Sequence, residues 1–306
     1  MKYLISLVCA VTVGIAFIVP SSSYAGTYLL NDCQLANPTP GAIFATQSSN
    51  VSGAFTFGDS CASNAPYDGY GVFTKSRTYN QGDLGRVKYT APIGLGIKGA
   101  SFWTWDQVSS DGSVWKANYL FHNEGSNVVS IPVTPNDIKS YDAEVSSGYR
   151  TNFEANLKCM ATTCPSTSLT AYLHLGSIAL TVTDPDPPVA YGGSGTLYNA
   201  GTVGGSRTAS FPAADGGSGV WLIWLKVNGQ AATLATGSST GTGVSCNPST
   251  PTYNAWRPCQ STLVGNWTVN TAQSPFVEGS NTVSTCARDY SGADDCSTPV
   301  TVNVHN

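Results

Sequence analysis

What most constrains this chain is the near-absence of helical periodicity. The best helical spacing is Ile138, Tyr141 and Val145, enough for a turn or two after Pro135. Everywhere else, short β-branched and aromatic runs alternate with Gly, Asn, Asp, Ser and Pro. Such a chain has to pair strands to satisfy its backbone, and short strands with frequent turn signals predict sandwiches or barrels. The expected fold class is therefore all-β.

A break in the pattern divides the chain. Asp184-Pro-Asp-Pro-Pro-Val-Ala places three prolines in four residues. Proline donates no ladder hydrogen bond and stiffens the chain toward an extended form. Just before it, Leu169, Ala171, Leu173 and Leu175 alternate with Thr170, Tyr172 and His174, and Ile178, Leu180 and Val182 resume the pattern after Gly176. That spacing puts each set on one face of a strand, with Gly176 a bulge, a bend or a hairpin turn. Residues 26–184 then form a first domain, read as a jelly-roll-type β-sandwich from its ten or so strands. Residues 185–188 are a proline-rich linker. Residues 189–306 read as an immunoglobulin-like sandwich of about seven strands, with a hairpin turn at Asn228-Gly229.

Residues 1–25 are set apart from this fold. Lys2 precedes an apolar run from Tyr3 to Val19, and Ser23-Tyr24-Ala25 has the small-x-small shape of a cleavage site. This is the pattern of a secretory signal peptide with Gly26 as the expected new N-terminus. No later segment is apolar for long enough to span a bilayer. Beyond Cys9, eight cysteines remain, an even number suited to an oxidising compartment: Cys33, Cys61, Cys159, Cys164, Cys246, Cys259, Cys286 and Cys296. The simplest pairing joins sequence neighbours, although connectivity does not follow from spacing. The expected location is secreted, extracellular or cell-surface.

Charge narrows the partners. Charged residues make up only 10% of the chain and the net charge is −4, so there is no basic patch for nucleic acid or anionic membrane. Hydroxyls and amides cover the surface instead. An extracellular glycan or cell-wall polymer suits that chemistry, with no nucleic-acid partner and no membrane span once the signal is removed.

Several short motifs resemble a known group. Cys33-x3-Asn-Pro-Thr-Pro-Gly, Asp59-Ser-Cys61, Tyr89-Thr-Ala-Pro-Ile-Gly, the Cys159/Cys164 pair and Leu180-Thr-Val-Thr-Asp follow one another in an order that resembles uncharacterised secreted actinobacterial proteins. Those proteins pair an N-terminal β-sandwich with a bacterial Ig-like domain. Asp215-Gly-Gly-Ser-Gly-Val and Cys286-Ala-Arg-Asp-Tyr-Ser-Gly resemble turns of such Ig-like modules. The resemblance implies fold and export, and supplies no catalytic residues.

Three chemistries have candidate residues. Sugar binding needs aromatic faces for stacking and polar groups for hydroxyls. Trp103 and Trp105 are two apart and share one strand face, and Trp115 lies on the next predicted strand with Tyr119 on its face. If those strands are antiparallel neighbours, the three tryptophans form a strip with Asp106 and Asn118 nearby. The same residues would also serve as half of a sandwich core. Glycoside hydrolysis needs two facing carboxylates. The chain has four Glu, of which Glu124, Glu144 and Glu154 fall in the first domain, and no Glu-x-Asp-x-Glu alternation marks a concave face. Calcium needs oxygen-rich loops, and Asp289, Asp294 and Asp295 around Ser291-Gly292, or Asp184 and Asp186 at the linker, qualify. Calcium is thus the one cofactor the sequence suggests, and acidic turns of this kind are equally at home simply solvated.

The reading that best joins these points is a secreted or cell-surface, non-catalytic binding or adhesion protein for carbohydrate. A secreted carbohydrate-active enzyme and a structural envelope or filament subunit remain the alternatives.

Overall fold

The computed structural model describes residues 26–32, 45–59, 69–108, 113–124, 126–134, 136–166, 170–236, 246, 252–253 and 255–306. The signal-peptide reading of residues 1–25, Cys33, Cys61 and Leu169 lie outside them.

The first unit contains β1 (Gly26–Asp32), β2 (Ala45–Ser49), β3 (Phe55–Asp59), β4 (Gly69–Thr74), β5 (Arg77–Asn80), β6 (Leu84–Thr90), β7 (Gly96–Gln107), β8 (Trp115–Asn123), β9 (Ser126–Ile131), β10 (Ile138–Glu144), β11 (Asn152–Cys159), β12 (Thr163–Ser166) and β13 (Tyr172–Asp184). After the linker follow β14 (Val189–Ala190), a 3-10 turn at Thr196–Tyr198, β15 (Thr202–Val203), β16 (Ser206–Ala214), β17 (Val220–Val227), β18 (Gln230–Thr236), β19 (Thr252–Tyr253), β20 (Thr262–Asn270), β21 (Gly279–Asp289), β22 (Asp294–Cys296) and β23 (Val300–Val304). The protein is all-β, as its turn-punctuated sequence requires.

In the first unit a sheet ordered β10-β7-β13-β1-β19, with β4 on β13 and β3 on β4, packs against a sheet ordered β2-β6-β11-β8-β9. Strict alternation decides which residues meet between them. Phe102 from β7, Leu173 and Leu175 from β13, Val87 and Tyr89 from β6 and Phe153, Ala155 and Leu157 from β11 are all buried in one core. Such burial, about 25 cal/mol per Å² of apolar surface, is the main force holding the two sheets together.

Apart from β19, the strands of the second unit also lie in two sheets, β14-β16-β20 and β15-β23-β21-β17-β18, with β22 on β21. They enclose Phe211, Ile223 and Ala287 at one end and Leu225, Val227, Val283 and Val302 at the other. Asn228 at φ 49° and Gly229 at φ 85° make the β17–β18 turn, the left-handed pair that the Asn-Gly sequence predicts.

The first core extends beyond its own strands. Cys246, Cys259 and Tyr290 from the far side of the linker belong to it, and Trp221 and Trp256 pack on it. β19 pairs in parallel with β1, Leu29 opposite Thr252. Tyr28 stacks edge-on against Tyr290, ring centroids 5.4 Å apart, and donates its hydroxyl to the Trp256 carbonyl.

Among the described residues, three disulfides close between sequence neighbours: Cys159–Cys164, Cys246–Cys259 and Cys286–Cys296. No helix of the described residues is long and apolar enough to cross a membrane.

One local expectation needs correction. The Ile138–Val145 segment is no helix; residues 138–144 form edge strand β10, paired along β7 from Ile138 opposite Trp105 to Glu144 opposite Gly99. Pairing with β7 over seven residues gives the backbone groups on one side of the strand their partners, a stabilisation that one or two isolated helical turns cannot match in water. Of the three forms open to Gly176, the structure has the bulge. β13 runs through a bulge, its register with β7 shifting between Gly176 and Ala179, with Ser177 at φ 47° as the displaced residue.

Candidate functional site

The outer face of the large sheet is built by alternation on β7 and β13. Phe102, Thr104 and Asp106 point into the core, so Trp103, Trp105 and Gln107 point out. The predicted sharing of one face by Trp103 and Trp105 follows directly from that period of two. Trp105 is 44% exposed. Its neighbours across the ladder are His174 of β13 and Ile138 of β10, and Ile138 is itself exposed. Tyr172 meets the Trp105 ring edge-on at 5.8 Å, and His174 meets Trp103 edge-on at 6.4 Å. Phe73 of β4 lies beside Tyr172 at 6.1 Å. Glycine at position 71 makes room for that ring, because a Cβ there would run into the Phe73 side chain. The result is an aromatic row running from Phe73 through Tyr172 to Trp105 and Trp103. Exposed Gln107 and Ser140 flank it with polar groups.

Trp115 is not part of this row. It is 3% exposed and packs edge-on against Phe55 and Tyr79 at 6.3 and 4.9 Å. The expected pairing of β7 with β8 does not form, because β7 lies between β10 and β13 while β8 lies between β11 and β9 in the opposite sheet. Trp115 and Tyr119 therefore face inward from the other side of the sandwich. Asp106 is also buried, and Asn118 donates to Asn156 on the far outer face.

That far face carries a polar row the sequence reading missed. On β11, Phe153, Ala155 and Leu157 fill the core, and Asn152, Glu154 and Asn156 alternate with them. Glu154 accepts from Arg86 at 3.3 Å and Asn156 at 2.8 Å, with His122 Nε2 3.5 Å away. The signal was present as Asn-x-Glu-x-Asn; a search for alternating acids alone passes over it. Glu124 pairs with Lys88 at 3.3 Å, and Glu144 ends β10 in the opposite sheet. The three acids named from sequence thus do not share one surface.

The acidic loops are also rearranged. Asp294 is held by Arg288, Nη2 to Oδ2 2.7 Å, and Asp295 accepts from the Ala190 amide at 3.1 Å. Neither joins Asp289, because β22 pairs back onto β21 and turns both side chains to other partners. Asp289 instead meets Asp184 and Asp215, with one carboxylate oxygen of each lying within 4.8 Å of the others. All three are buried. Asp184 accepts from the Asp186 and Ser218 amides, and Asp215 accepts from the Gly217 and Gly219 amides. Asp289 Oδ1 takes Ser291 Oγ at 2.8 Å, Gly292 N at 2.7 Å and Ala293 N at 2.8 Å. Its Oδ2 is buried with no hydrogen-bond partner. Burial, with the neighbouring Asp215 charge, pushes the Asp184 carboxyl up to about 6. Burial, with the charges of Asp184 and Asp215, pushes Asp289 up to about 7.

No family model and no curated protein matches the chain. Among solved structures, it is compared with a calcium-binding mutant of Bacteroides uniformis β-glucuronidase 2 that carries two Asp-to-Ala substitutions. That match has 11% identity and a TM-score of 0.19, and covers 84% of this chain. The chain spans about a third of that protein's length, 32%, and at so low a score the likeness carries no functional argument.

Proposed function

We propose that this chain is an exported, non-catalytic binding protein that holds a glycan against the outer face of its larger first-unit sheet. The observation that carries the reading is the exposed Trp105 in a row with Trp103, Tyr172 and Phe73. An indole face offers a sugar ring a flat apolar surface with a partial negative charge, which C–H groups favour. The low charge of the chain and the flanking amide and hydroxyl groups suit neutral polysaccharide. The three disulfides fit an oxidising compartment.

The test is a glycan array probed with the full chain, followed by Trp105→Ala. An exposed side chain can be removed with a stability change usually within about 0.5 kcal/mol. The expected result is an unchanged melting temperature and loss of glycan binding. No glycan retained by the wild type, or equal retention by the variant, overturns the reading.

The polar network around Glu154 favours a second reading, a carbohydrate-active enzyme working on the opposite face. Product release from an array hit that Glu154→Gln abolishes, with Trp105→Ala still active, would establish that reading in place of the first.

A further inference from the structure

We infer that Asp184, Asp215 and Asp289 form a calcium site at the joint between the two sandwich units. Two observations carry this independently of any glycan. The first is the convergence of three carboxylates from segments far apart in sequence: the end of β13, the β16–β17 loop and the end of β21. Two oxygens each about 2.4 Å from a common ion can be at most about 4.8 Å apart, and the three fall within that span. The second is the orphaned Oδ2 of Asp289. A carboxylate oxygen with 0% residue exposure and no donor is rare, since buried acceptors are nearly always satisfied. The backbone amides of Asp186, Gly217, Ser218 and Gly219 each donate to a different oxygen of Asp184 or Asp215, which leaves those oxygens a second lone pair for an ion, while Gly292 and Ala293 donate to Asp289 Oδ1. What the fold leaves open is an acceptor facing no donor, in a place where charges of one sign accumulate.

The donor set selects the ion. All three ligands are carboxylate oxygens, with no imidazole or thiolate among them. That excludes the nitrogen and sulfur environment zinc favours and matches a hard cation. Calcium accepts six to eight oxygens in flexible geometry, whereas magnesium demands a near-ideal octahedron and keeps several waters, which a buried cluster does not readily provide. The site's position gives it a role. Asp184 closes the last strand of the first unit, while Asp215 and Asp289 belong to the second. An ion bound by all three would tie the units together directly behind the proline-rich segment 185–188.

The full chain is stripped with EDTA and titrated with calcium chloride by equilibrium dialysis and thermal melting. The expected result is one calcium per chain and a rise in melting temperature. Asp289→Asn should weaken binding by about tenfold or more, because a carboxamide oxygen carries no net charge toward the ion; Asp294→Asn should leave it unchanged. Limited proteolysis of the wild type locates the site even if Asp289→Asn does not fold: calcium should suppress cleavage between residues 184 and 189. A folded, stripped chain that binds no calcium overturns the inference. So do calcium binding lost in Asp294→Asn but kept in Asp289→Asn, cleavage at the joint indifferent to calcium, and equal protection by magnesium.

Discussion

Asp106 shows how far a single buried residue departs from its appearance in the sequence. It stands next to the exposed Trp105, but the alternation Phe102, Thr104, Asp106 turns this acid into the core. Its Oδ1 accepts the Asn136 amide at 3.0 Å, and burial still pushes its carboxyl up to about 6. An unfolded aspartate titrates near 3.9. Between those values the folded chain keeps a proton that the unfolded chain has released. The stability this contributes is complete below about pH 4 and is lost as pH rises through about 6, on the order of 2–3 kcal/mol in all. Asp106→Asn keeps an acceptor for Asn136 and removes the titration. Urea unfolding at pH 4 and pH 7 should therefore show a smaller loss of stability with rising pH in the variant than in the wild type. An identical pH dependence would mean that Asp106 is solvated in the native state.

At the scale of elements, close approach of the two first-unit sheets depends on a missing side chain. A Cβ on Gly85 of β6 would lie 2.6 Å from Val72 and 2.8 Å from Phe55, both core residues of the facing sheet. Neither can withdraw without disturbing its own packing. Gly85→Ala should cost about 1–3 kcal/mol, the usual range for overpacking a filled core, read as a lower melting temperature with unchanged far-ultraviolet dichroism. A variant as stable as the wild type would show that the sheets can separate there at no cost. The same scale explains why the sequence pairs Trp103 with Trp105 correctly and misplaces Trp115. The first relation lies within one strand, where a period of two follows from the extended backbone conformation. The second depends on which strand lies beside which, and β7 takes β10 and β13 as neighbours instead of β8.

For the molecule as a whole, the joint is more than a tether. Tyr290 comes from the second unit but is 3% exposed in the core of the first, edge-on to Tyr28. Replacing a buried aromatic by alanine costs roughly 3–5 kcal/mol in a well-packed core. Tyr290→Ala should thus lower the melting of the first unit as well as the second, and calorimetry of the wild-type chain should show one coupled transition. Two well-separated transitions, with only the later residues affected by Tyr290→Ala, would show that the shared core carries little energy.

The sequence by itself determined the properties set by local chemistry. Turn residues and β-branched runs made the chain all-β, and the Asn228-Gly229 pair set its hairpin. Only the tertiary structure decided what depends on strand order. It sent Trp115 to the core and Trp105 to the surface. It set Asn152, Glu154 and Asn156 in a polar row on the opposite face. It brought Asp289 to Asp184 and Asp215, both distant in sequence, while the nearby Asp294 and Asp295 turned to Arg288 and Ala190. Side-chain alternation is written into each strand, whereas the choice of neighbouring strand is made by burial summed over the whole chain.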